Sequence, residues 1–139
     1  MKPTNLFLIS YFLFLISFSA IAQPTITFTP SEGTTLTRSD VDDILAANGL
    51  DRESEFHAII ENTTLIAPGD DNSGTGVFQN CKYLLSVDLT DVKTIETAAF
   101  YGCDRLTSAI GPNVTDIGGR SFYECSSLST ISFPNAKNI

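Results

Sequence analysis

Three cysteines, Cys81, Cys103 and Cys125, stand 22 residues apart, and His57 is the only imidazole in the chain. These are the side chains best able to do chemistry, so their spacing comes first. Metal sites draw ligands from short local clusters, and a uniform step of 22 is no such pattern. An odd cysteine count in an exported chain ordinarily signals a free thiol or an intermolecular bond. A column at a fixed period reads instead as a small buried position. Turns stacked like parallel strands would set its members about 5 Å apart, a spacing that just permits a disulfide. Buried free thiols are the expectation. His57 sits beside Phe56 and near Ile59 and reads as structural or solvent-facing. No G-x-S-x-G, H-E-x-x-H or Cys/His pairing is present, so no enzyme, metal or cofactor is expected. Asp70-Asp71-Asn72-Ser73-Gly74 has a calcium-loop flavour, but the twelfth position from Asp70 is Cys81 rather than Glu, which excludes an EF-hand. A solvated turn is the reading there. Asn62-Thr63-Thr64 and Asn113-Val114-Thr115 fit the N-glycosylation pattern, which matters only on a eukaryotic secretory route.

The chain of 139 residues has room for one small domain, and 42% apolar with 17% charged residues is a globular composition. Residues 1–22 read as a signal peptide: Lys2, an uncharged apolar run from Leu6 to about Phe18, then Ala20-Ile21-Ala22 as the cleavage pattern. Leu6 to Ala22 is short for a membrane span of about 20 residues, so a retained anchor is the weaker reading. No cysteine follows the cut to take a lipid. The expected product is secreted or displayed at the cell surface, with no membrane insertion after cleavage. Its formal charge falls from −8 to −9, because the leader carries Lys2 and no acid. Ten acids lie between Glu32 and Asp71 against Arg38 and Arg52, whereas the chain from Gly76 onward is nearly neutral. An acidic chain without a basic patch argues against nucleic acid and anionic lipid as partners.

The period of 22 extends well beyond cysteine. Phe78, Phe100 and Phe122 keep it, as do Leu84, Leu106 and Leu128, and Ile95, Ile117 and Ile139. Weaker columns hold register: Val87/Ala109/Ile131, Leu89/Gly111/Phe133 and Val92/Val114/Ala136. A unit of this length cannot bury its apolar side alone, and stacking identical turns buries it against the neighbours. Leu84 to Leu89 and Leu128 to Phe133 each contain a short period-2 strand, ended by proline at Pro112 and Pro134 in the second and third units. The Ala-Phe-x-x-Cys segment has helical spacing and predicts a short helical or 3₁₀ turn.

Ile95-Glu96-Thr97-Ala98-Ala99-Phe100-Tyr101-Gly102-Cys103 and Ile117-Gly118-Gly119-Arg120-Ser121-Phe122-Tyr123-Glu124-Cys125 closely resemble the BspA-like (type 5) leucine-rich repeat. The resemblance covers residues 76–139. Gly111 and Ile110 depart from it, the first lacking an apolar side chain and the second being apolar where the family is usually polar. The resemblance implies a leucine-rich repeat solenoid, a right-handed β/α superhelix of short parallel strands and short helical turns. It also implies a surface protein of adhesion type, with a protein or glycan ligand of unknown identity.

Residues 23–75 read as an N-terminal capping region with a degenerate first repeat. Thr25–Thr29 alternates as a strand. Ser39 reads as the N-cap of a short amphipathic helix over 40–48, stopped by Gly49. Phe56–Ile60 reads as a strand, and Leu65 aligns with Ile95 on the six-residue step from Ile59, as Ile95 follows Leu89. Residues 68–75 then form an eight-residue insertion. At the other end, Ile139 falls on a core column with no polar closing element after it, which suggests a truncated chain or further repeats.

Alternation puts two sets of residues on the outer side of the repeat strands: Ser86, Ser108 and Thr130, and Asp88, Ile110 and Ser132. They are the candidate binding face. Tyr101 and Tyr123 form a second exposed stripe. The alternative to a binding module is a structural spacer that displays another domain.

Overall fold

The structure, a computed structural model, describes residues 22–69 and 73–137. Residues 1–21 of the expected leader, residues 70–72 of the 68–75 insertion and Ile139 lie outside the described residues. The chain runs β1 (Thr25–Phe28), β2 (Thr35–Leu36), α1 (Arg38–Ala47), β3 (Phe56–Ile60), β4 (Leu65–Ile66), β5 (Leu84–Asp88), β6 (Thr94–Ile95), β7 (Ser108–Ile110), β8 (Asp116–Ile117) and β9 (Thr130–Ser132). All strand pairs are parallel. They form two sheets, β1-β3-β5-β7-β9 and β2-β4-β6-β8. Each of the first four chain circuits therefore lays one strand on each sheet, β9 opens a fifth, and the fold is a repeat solenoid. Stacking in register follows from the period. Val87 faces Ala109, which faces Ile131, and Ile95 faces Ile117.

The core lies between the sheets. Phe78 stacks on Phe100 at 5.1 Å and 4°, and Phe100 on Phe122 at 5.2 Å and 3°. The repeating backbone gives these rings equivalent Cβ positions, and burial in the same column holds them in the same orientation. The column ends where the repeat ends: Phe28 of β1 meets Phe78 edge-on at 5.2 Å. Gly111 departs from its apolar column for a packing reason. A Cβ there would lie 2.5 Å from Val114 Cγ2 and 3.0 Å from the Phe133 ring of the next turn. The phenyl group of one turn fills the room its predecessor leaves.

Four sequence expectations need correction. The second sheet was not foreseen, and it makes β1 and β2 a rung of their own ahead of β3 and β4. The first repeat is also shifted by one residue: Ile66, not Leu65, pairs with Ile95, and Ile59 pairs with Asp88. Ile60 and Ile66 are the buried residues, which sets this register, since a one-residue slip would turn them outward. The segments after Phe78, Phe100 and Phe122 are chains of turns rather than helical or 3₁₀ pieces. Their i→i+3 bonds, such as Cys81 N–H to Phe78 O at 3.0 Å, are interrupted by left-handed residues Asn80, Gly102 and Glu124. A left-handed residue in every turn prevents a helix from propagating. Finally, α1 starts at Arg38 and its N-cap is Thr37, not Ser39.

Asp40 decides that cap. Its carboxylate accepts from Thr37 N–H (2.9 Å), Thr37 Oγ1 (2.6 Å) and Ser31 N–H (3.1 Å), while Thr37 Oγ1 accepts from Asp40 N–H. This reciprocal capping box satisfies donors that the first helical turn leaves open. Burial raises the Asp40 pKa, but the bonds from Ser31 and Thr37 outweigh it and hold the carboxyl down at about 2. Gly49, at φ +70, ends the helix as expected.

At the Phe-x-x-Cys corner the backbone donates hydrogen bonds to the following turn, whereas elsewhere, as from Thr107 N–H to Leu85 O, it donates to the preceding one. Phe78 N–H donates to Ala99 O (2.7 Å) and Asn80 N–H to Tyr101 O (2.8 Å), and Phe100 and Gly102 repeat this to Ser121 and Tyr123. Val77 O and Gln79 O are the equivalent acceptors one turn earlier, where the insertion replaces the preceding donors. Arg52 takes their place. Its Nη1 donates to Val77 O (2.9 Å) and Gln79 O (3.3 Å), and its Nε to Asp42 of α1 (2.7 Å). Arg38 Nη1 adds a bond to Gly76 O at 2.7 Å. One guanidinium nitrogen, Nη1, thus stands in for two missing backbone amides, while Nε of the same planar group holds Asp42. Arg52→Ala should destabilise the fold by about 2–3 kcal/mol, because both carbonyls lose their partner. Arg52→Lys should recover less than half of that. Chemical denaturation measures both, and an Arg52→Ala loss below about 0.5 kcal/mol, the scale of an ordinary surface substitution, would contradict the assignment.

Candidate binding face

The five-stranded sheet carries two rows of outward side chains. Pairing sets Ser86 beside Ser108 and Ser108 beside Thr130, and Asp88 beside Ile110 and Ile110 beside Ser132. The rows continue beyond the repeat. Thr25 pairs with His57 and His57 with Ser86, while Thr27 pairs with Ile59 and Ile59 with Asp88. The structure thus brings the six sequence-selected residues onto one face and adds the outer residues of β1 and β3. His57 reaches the row through a register irregularity between Phe56 and His57. Only the reading of Phe56–Ile60 as a strand could have pointed there, and it did not reveal which strand lies alongside.

His57 Nδ1 lies 2.6 Å from Ser86 Oγ. Among the described residues no carboxylate bonds the other ring nitrogen, so the pair lacks the acid that orients a catalytic histidine. Asp88 Oδ1 accepts from Thr90 N–H at 2.9 Å, which fixes the carboxylate on the rim of the face. A shallow trough of about 470 Å³ runs across β3, β5 and β7, with Thr25 at one end and Ile110 at the other.

The other sequence-selected groups lie elsewhere. The cysteines are free thiols and point inward, Cys81 and Cys103 fully buried and Cys125 half-buried. Cys103 Sγ donates to Phe78 O and Cys125 Sγ to Phe100 O, each at 3.2 Å, so the thiols repeat with the turn. Cys81 Sγ instead accepts from Arg52 Nη1 at 3.4 Å. Burial pushes the Cys81 thiol up to about 11 despite Arg52, and burial also raises Cys103. Tyr101 and Tyr123 sit against each other at 5.3 Å on the turn side, away from the sheet face. Asn62 is exposed in a left-handed conformation, whereas the Asn113 amide donates to Thr90 O at 2.7 Å. Among the described residues no cluster of His, Cys, Asp and Glu could hold a metal ion, and no helix is long and apolar enough to cross a membrane.

A family model for the BspA type leucine rich repeat region matches residues 60–139 in six copies, more than half of the chain. The chain belongs to the BspA-type leucine-rich repeat family. The match begins at the end of β3, ahead of Gly76 where the 22-residue spacing becomes regular. BspA-type repeats thus account for the sheet from β5 onward and reach back to the irregular rung before the insertion. No curated protein and no solved structure matches the chain.

The cysteine column makes a direct prediction for these repeats. Thiolate, not thiol, reacts with an aromatic disulfide reagent, so burial protects a cysteine. Cys125 is half-buried, and its neighbour Cys103 lowers its pKa. In the native protein Cys125 should react and Cys81 and Cys103 should not; denaturant should expose all three. Rapid native reaction of Cys81 or Cys103 would contradict the buried column.

Proposed function

We propose that this protein is a secreted or cell-surface interaction module that binds a protein or glycan through the β1-β3-β5-β7-β9 face. The observation that carries the reading is the ladder of Ser86, Ser108 and Thr130 beside Asp88, Ile110 and Ser132. Regular outward rows on a stacked sheet give an extended surface of the kind solenoids offer to macromolecules. Membership of the BspA-type family supports an interaction role over a catalytic one. The apolar leader with its Ala20-Ile21-Ala22 pattern supports export. We assign residues 1–22 to a signal peptide, 23–75 to an N-terminal cap with a degenerate repeat, and 76–139 to the regular repeats. The winding follows the right-handed rule for parallel crossovers, and α1 with Arg38 and Arg52 closes the N-terminal end. The protein needs no cofactor. Its acidic charge, −8 overall, disfavours nucleic acid as a partner.

Placing arginine at Ser86, Ser108 and Thr130 together tests the face. These side chains point outward, so the fold should survive while three stacked cations exclude the partner. Binding of the full chain to intact cells, and to extracellular proteins immobilised with their glycans, should fall at least tenfold. Unchanged binding by a folded triple variant would remove the face from the account.

A further inference from the structure

The trough on the sheet face has a chemistry narrower than the face as a whole. Its polar groups are His57, Ser86, Asp88, Ser108 and Thr25, and among the described residues no lysine or arginine lines it. Ser108 is half-buried, and its hydroxyl has no hydrogen-bond partner among the described residues. His57 uses Nδ1 on Ser86, which leaves Nε2 for a ligand. Asp88 uses Oδ1 on Thr90, which leaves Oδ2. These groups both donate and accept, and they recur at the rung spacing of about 5 Å. Ile59 and Ile110 flank Asp88 on the two neighbouring strands. A carboxylate between two aliphatic side chains offers one strong acceptor within an apolar strip.

We propose that this trough holds one or two units of a neutral oligosaccharide. The proposal rests on the reading of the sheet as the binding face and narrows it to one ligand class. Sugar hydroxyls each donate and accept, which matches a row of hydroxyls with an imidazole and a carboxylate. The C–H faces of a pyranose suit Ile59 and Ile110. The absence of a cation in the lining, with Asp88 in it, disfavours sialylated and sulfated glycans, whose anions would meet a like charge. The size also fits: about 470 Å³ lies within the roughly 300–1,000 Å³ of small-ligand sites. Docked proteins, by contrast, cover about 800 Å² per partner on broad surfaces.

Saturation-transfer NMR on the full chain tests this with cellobiose, lactose, maltotriose and N,N′-diacetylchitobiose, with sialyllactose as the acidic comparison. At least one neutral sugar should bind and sialyllactose should not. Ser108→Ala removes a hydroxyl with no hydrogen-bond partner among the described residues, so the fold should be unaffected and binding should weaken about three- to tenfold. Asp88→Asn should weaken it about tenfold or more. Tyr123→Ala, on the turn side, should leave binding unchanged. Failure of all four neutral sugars, or equal binding of sialyllactose, overturns the proposal. So does neutral-sugar binding that ignores both Ser108→Ala and Asp88→Asn. If the sugars fail while a deglycosylated protein is held by the wild type and lost by the triple-arginine variant, the sugar assignment falls and the face remains. If sugars bind but survive the triple-arginine variant, both readings fall.

Discussion

Successive turns of this protein depend on one another for their hydrogen bonds. The N–H groups of Phe78 and Asn80 end on the carbonyls of Ala99 and Tyr101, and those of Phe100 and Gly102 end on Ser121 and Tyr123. A buried backbone group without a partner costs free energy on the scale of a lost hydrogen bond. The 22-residue step is therefore a constraint on the backbone before it is a pattern of side chains. Once the step is fixed, phenyl rings stack nearly parallel, thiols line up, and outward residues fall into rows. The candidate binding face is a by-product of this register.

The same constraint explains the least repetitive part of the chain. A ladder that passes hydrogen bonds forward has a first turn whose carbonyls receive nothing. The insertion after β4 creates that situation at Val77 and Gln79. Its ends are pinched together, since a Cβ on Gly69 would lie 2.3 Å from Gly76 Cα. Arg52 answers with a guanidinium held by Asp42, and α1 positions Asp42 from a helix that the Thr37–Asp40 box starts. The two arginines among the many acids of residues 23–75 thus act as internal donors. Their charge is only part of their use.

Much of this was legible in the sequence. Equal spacing of Phe, Cys and Leu specified the stack, and alternation around Val87 and Ala109 named the outward residues. What escaped was contact between segments with no shared spacing. Nothing in residues 49–55 marks Arg52 as a partner of carbonyls some 25 residues away, because a carbonyl has no residue signature. Leu65 and Ile66 are both aliphatic, so only the burial of Ile66 separates them. Ser39 and Thr37 are both good caps, and Asp40 three residues after Thr37 is what selects one. His57 read as structural or solvent-facing, and its place beside Ser86 needed the pairing of β3 with β5.

Native-state amide hydrogen exchange tests the central claim most directly. The amides of Phe78, Asn80, Phe100 and Gly102 each end on the following turn, so they should exchange slowly and with similar protection. The amides of Lys82 and Asp104, in the same turns, are exposed and donate to no backbone group among the described residues, so they should exchange fast. Rapid exchange at Phe100 and Gly102, or equal protection at Lys82 and Asp104, would contradict a fold held together by the turn-to-turn ladder.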